Sequence, residues 1–169
     1  MEEKALLEHL EQALTAERDG FHLYTMASKE AKDPVAKELF SRLAGDERDH
    51  YEHLQRQYRS ILDGAGWQIE PSLEARGNEE PNPHVFTERL MGRIRGSQVA
   101  MSALSIGIQL ERSAMAFYAA RAEEATDEAV AVFFRGLAAW ENDHYQLLLA
   151  QEDALREEYW QENRFAPLL

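Results

Sequence analysis

The sequence contains no cysteine. Disulfides, zinc–thiolate sites, iron–sulfur clusters and thiol catalysis are excluded with it. Proline is scarce, at 5 of 169 residues, so long helices meet few interruptions. Almost nothing alternates apolar with polar, the pattern a half-buried strand needs. No stretch approaches the ~20 apolar residues of a membrane span. Positive charge is in the minority, with 18 Lys and Arg against 31 Asp and Glu and a net charge of −13. Such a surface repels a nucleic-acid backbone or an anionic membrane, so neither is expected as a partner. Met1 to Leu14 carries acids throughout and lacks the apolar core of a signal peptide, so the expected location is cytoplasmic.

What is present is a repeat. Leu43-Ala44-Gly45-Asp46-Glu47-Arg48-Asp49-His50-Tyr51 returns as Leu137-Ala138-Ala139-Trp140-Glu141-Asn142-Asp143-His144-Tyr145, 94 residues later and without a gap. The same offset pairs Glu17 with Glu111, Tyr24 with Tyr118, Phe40 with Phe134 and Leu54 with Leu148. Both copies set Glu and His three residues apart, which places them on one helical face. The chain reads as a duplicated helical hairpin.

The first helix is expected from Glu3 to Glu30. At 100° per residue, Leu6, Leu10, Ala13, Phe21 and Tyr24 fall within about 40° of Glu17, which therefore sits mid-stripe, where a solvated acid does not belong. Asp33-Pro34 offers a cap and a first-turn proline for a second helix to Leu62. There Phe40, Leu43, Glu47, His50 and Leu54 share a face, and Asp63-Gly64-Ala65-Gly66 ends it. Residues 63–96 form a crossover, rich in glycine and proline at first and holding a short helix from about 83 to 94. Twenty extended residues reach about 65 Å, against roughly 42 Å for a helix of this length. The third helix runs from Ser97 to Ala125 with Leu104, Ile108, Glu111, Met115 and Tyr118 on one face. A fourth, Glu128 to Asn163, presents Phe134, Leu137, Glu141, His144 and Leu148. The fold class is all-α: a single domain over 1–169 in which hairpins 3–62 and 97–163 make a four-helix bundle with one long connection.

Each of the four helices turns a Glu inward, and two add a His. Four charged carboxylates in a core cost several kcal/mol apiece unless they are compensated, and no Lys or Arg occupies a stripe position. Two divalent ions balance four acids. Carboxylate with imidazole suits iron or manganese better than magnesium or calcium. One Glu from each of two helices and Glu-x-x-His from the other two is the ligand set of di-iron and di-manganese bundles.

Glu17…Glu47-x-x-His50 and Glu111…Glu141-x-x-His144 thus resemble the ferritin-like superfamily of di-metal carboxylate proteins. Glu111-Arg112…Phe117-Tyr118 and the long crossover look most like its stand-alone rubrerythrin-related branch. The resemblance implies two iron ions, or manganese or a mixed pair. Glu47 and Glu141 would bridge, Glu17 and Glu111 would be terminal ligands, and His50 and His144 would serve one ion each. It also implies Tyr24 and Tyr118 as active-site tyrosines that hydrogen-bond ligand carboxylates. Rubrerythrins proper carry a further Glu where this chain has Ala114, and append a cysteine-rich electron-transfer domain. The six-residue set is closer to that of bacterioferritin, although the fifth helix of cage-forming ferritins is missing.

Three functions compete. A di-iron oxidoreductase would reduce H2O2 or O2 with electrons from an external donor, as a peroxidase, oxidase or ferroxidase. A metal buffer would bind iron or manganese without turnover. A metal-free interaction module would keep only the scaffold. A homodimer, with or without exchanged hairpins, is expected. Among the remaining candidates, His22 and His53 lie about 140° and 120° off their stripes, and His9 and His84 belong to no pattern. Trp140 reads as a packing or interface residue, and Met101 and Met115 as core filler.

Overall fold

Four α-helices account for the described elements of the computed structural model, which describes residues 2–69 and 98–163. α1 is Glu3–Glu30 and α2 is Pro34–Leu62. α3 is Gln98–Glu124 and α4 is Glu128–Asn163. No strand occurs among the described residues. The crossover's short helix at 83–94 lies outside them.

The turns have local causes. Asp33 Oδ1 accepts from the amides of Val35 and Ala36 at 2.8 and 3.2 Å, and Pro34 occupies the first turn of α2. These bonds satisfy amides that have no partner within the helix. At the far end Gly64 and Gly66 adopt φ of 73° and 74°, a left-handed conformation that glycine takes without strain. Buried Gln57 then ties the emerging chain down: its amide donates to the Gln68 carbonyl at 2.9 Å, and its carbonyl accepts from the Gln68 N–H at 3.0 Å. Asp127 repeats the cap, accepting from the Ala129 N–H at 2.8 Å.

α1 packs along α2 and α3 along α4, and α1 also meets α3. Two apolar clusters fill the bundle, one at each end. Tyr24, Phe40, Leu43, Leu104 and Leu148 belong to the first. Tyr118, Phe134, Leu137, Leu10 and Leu54 belong to the second. Every member named in one cluster is the 94-residue mate of a member of the other. The repeat therefore generates a pseudo-twofold axis, and the band between the clusters lies on it. Tyr24 stacks on Phe40 with centroids 6.3 Å apart, and Tyr118 on Phe134 at 6.1 Å. Met101, expected in the core, is exposed. It lies about 80° from the Glu111 direction on α3, at the margin of the stripe.

Candidate metal centre

Glu17, Glu47, His50, Glu111, Glu141 and His144 meet in the band between the clusters, and all six are buried. Each arrives there because it occupies the apolar stripe of its helix, so the helix cannot bury its leucines without burying the acid as well.

His50 Nδ1 lies 3.1 Å from Glu17 Oε2, 3.3 Å from Glu47 Oε2 and 2.9 Å from Glu141 Oε1. His144 Nδ1 lies 3.5 Å from Glu47 Oε1, 3.6 Å from Glu111 Oε2 and 3.7 Å from Glu141 Oε2. Glu47 and Glu141 therefore each turn one oxygen toward each histidine. Two ligand groups result: Glu17, Glu47, His50 and Glu141, and Glu47, Glu111, Glu141 and His144, with the ligand atoms of each within 4.8 Å of one another. The tyrosines cross over. Tyr24 on α1 donates its hydroxyl proton to Glu111 on α3, and Tyr118 on α3 donates to Glu17 on α1.

Without an ion the groups neutralise each other. Burial and then the Glu141 charge raise Glu17 and Glu111 well above the ordinary carboxylate value. Burial also disfavours charge on Glu47, but the two imidazoles outweigh it and hold Glu47 down to about 2. Glu141 is depressed likewise, burial being overcome chiefly by the His50 charge. Burial works against protonating His50 and His144, yet the surrounding carboxylates raise both well above the usual histidine value. Burial, followed by the adjacent Glu, keeps each tyrosine firmly protonated.

This donor set fits two divalent ions. Four carboxylates and two imidazoles converge, the cations facing them among the described residues are the histidines, and His144 Nδ1 is buried with no hydrogen-bond partner. A buried polar atom left orphaned is costly unless something absent from the protein atoms occupies it. A cleft of about 280 Å³ reaches all four carboxylates from between α1 and α3, past Gly20, Ala114 and Phe117. Gly20 and Ala114 are repeat mates, one turn beyond Glu17 and Glu111.

The other histidines stay apart. His22 is exposed, His53 sits by Arg56 at 2.6 Å, and His9 faces Glu124 at 3.7 Å. His84 lies outside the described residues. Sequence reasoning missed Asp46, whose Oδ2 is 3.3 Å from His144 Nε2. Its repeat mate is Trp140, so the symmetry that exposed the other residues concealed this one. Trp140, expected to pack, is buried against the His50 ring.

No curated protein and no solved structure matches the chain. The family model described as Rubrerythrin matches residues 8–152, the span that contains all four helices' inward acids and both histidines. With a ferritin-like four-helix bundle and a buried carboxylate–histidine cluster besides, the chain belongs to the rubrerythrin family, a ferritin-like di-iron family.

Proposed function

We propose that the protein holds two iron ions at the bundle's midpoint and uses them to reduce hydrogen peroxide or dioxygen. The observation that carries this reading is the convergence of four acids and two imidazole Nδ1 atoms in two overlapping groups that share Glu47 and Glu141. When bound, ferrous iron would supply the electrons that reduce the oxidant, and an external donor would have to replace them. The remaining work falls to the chain. Glu47 and Glu141, each with one oxygen toward either histidine, would hold both ions, while Glu17 with His50 and Glu111 with His144 would complete the two ends. Tyr24 and Tyr118 orient the terminal acids, as hydrogen-bonded partners of ligands do. The clusters on either side close the two ends of the site with apolar side chains. The cleft past Gly20 and Ala114 admits a small oxidant on the carboxylate side, since neither histidine lines it. Manganese, alone or with iron, is a second occupant the donors accept.

Binding without turnover is a second reading, favoured by the net charge of −13, which draws cations generally. One experiment separates the two. Metal-free protein loaded anaerobically with two ferrous ions per chain is mixed with peroxide, then with oxygen, while near-ultraviolet absorption is followed. Development of ferric absorption within seconds supports the redox reading, and none at all leaves only the buffer. Glu47→Ala should take up less than the full complement of iron. Full retention of both ions by Glu47→Ala and Glu141→Ala removes the site itself.

A further inference from the structure

The repeat breaks beside the centre. The residue before Glu47 on α2 is Asp46, and its mate before Glu141 on α4 is Trp140. Each lies against the histidine of the other hairpin. Asp46 Oδ2 is 3.3 Å from His144 Nε2, the ring nitrogen turned away from the carboxylates. Arg42, one turn earlier on α2, brings its Nε within 3.9 Å of the same oxygen. Trp140 stands edge-to-face on His50 with centroids 4.1 Å apart, and His50 Nε2 has no hydrogen-bond partner. The inner arrangement is otherwise matched, with three carboxylates, one Nδ1 and one tyrosine hydroxyl on each side.

We infer that the two ion positions are unequal by construction, and that Asp46 is the positioning residue that makes the His144 position the tighter one and the first to fill. The inference rests on the metal-binding reading above. A carboxylate on Nε2 fixes the proton there, leaves Nδ1 free to ligate, stops the ring from turning and raises its basicity. Indole can only donate a hydrogen bond, so Trp140 wedges the His50 ring without supplying an acceptor for its proton. Outer partners of this kind change metal affinity by about 10–100-fold. The same inequality gives the pair a fixed direction, with one ion backed by a carboxylate and the other by an aromatic ring.

The test uses the metal-free full chain titrated with Co(II), followed by visible absorption and by calorimetry. Two ions should bind in two resolved steps, separated by about 10–100-fold in affinity. Asp46→Ala should weaken the tighter step by that factor and leave the other nearly where it was, with Asp46→Asn, which keeps a neutral acceptor, falling between. In the Zn(II)-loaded protein, the His144 Nε2 proton should appear as a slowly exchanging downfield resonance that Asp46→Ala abolishes. A loss of packing alone would not remove that signal while sparing the second step. Two equal sites in the native protein, or an unchanged order of filling in Asp46→Ala, overturn the inference and leave the metal site standing. No Co(II) uptake at all overturns both.

Discussion

Tyr24 and Tyr118 each place a hydroxyl on a buried acid of the facing helix. Removing either hydroxyl leaves a carboxylate oxygen buried and unbonded. Tyr24→Phe and Tyr118→Phe should therefore each lose about 1–3 kcal/mol in denaturant unfolding of the metal-free protein. The glycines offer a contrast of sign. A Cβ at Gly107 would lie 2.7 Å from the Tyr24 hydroxyl and 3.1 Å from Leu148 Cδ1, both in the packed core. Tyr24 cannot retreat without releasing Glu111, so Gly107→Ala should destabilise by about 1–3 kcal/mol. A Cβ at Gly45 meets nothing within 4 Å. Gly45→Ala should instead stabilise α2 by about 0.5–1 kcal/mol, the usual cost of a mid-helix glycine. Thermal melts of the two variants that shifted in the same direction would contradict this account.

At the scale of the helices, α1 and α3 shape the approach to the centre and α2 and α4 supply its histidines. Ala114→Phe should narrow the cleft, slowing oxidation of the ferrous protein at least several-fold while iron stoichiometry holds at the native value. Stopped-flow mixing with peroxide at matched loading checks it. Much of this layout was legible in the sequence. A Glu in the middle of an apolar stripe is visible from one helix alone, because the 3.6-residue period and the burial rule conflict there. The helix ends were legible because Asp33-Pro34 and Gly64…Gly66 are local signals. What sequence could not give is which residue meets which across helices. The crosswise pairing of Tyr24 with Glu111 depends on how α1 and α3 are rotated against each other, and periodicity fixes only the face of each. Asp46 was hidden for the same reason, and doubly so because its mate is an indole. Met101 failed because a stripe has soft edges.

For the whole molecule, the six buried groups tie stability to pH. The stability contributed by His50 and His144 is complete below the ordinary histidine value of 6.5 and is lost as pH rises through their raised values. Glu17 and Glu111 act in the same direction, since their raised values mean that the folded state increasingly resists ionising them above 4.5. Glu47, held at about 2, and Glu141 lose their contribution only as pH falls below 4.5. Above pH 6.5 the metal-free protein should therefore melt at steadily lower temperature as pH rises through those raised values. Two bound dications take over the balancing of charge, so the loaded protein should melt higher and show a flatter profile. Calorimetry with and without a chelator across that range measures both, and a metal-free profile rising with pH would refute the assignment of charges.

Apart from His9 with Glu124 at 3.7 Å near the ends of α1 and α3, the polar contacts described above between the two hairpins gather at the centre. His50 reaches Glu141, His144 reaches Glu47 and Asp46, Tyr24 reaches Glu111 and Tyr118 reaches Glu17, each crossing from one half of the chain to the other. The buried carboxylate–histidine cluster is thus also the rivet of the scaffold. Emptying it should show itself as a parting of halves along their shared seam, with amide protons of α1 and α3 near Glu17 and Glu111 exchanging together, rather than as a gradual fraying inward from the helix tips.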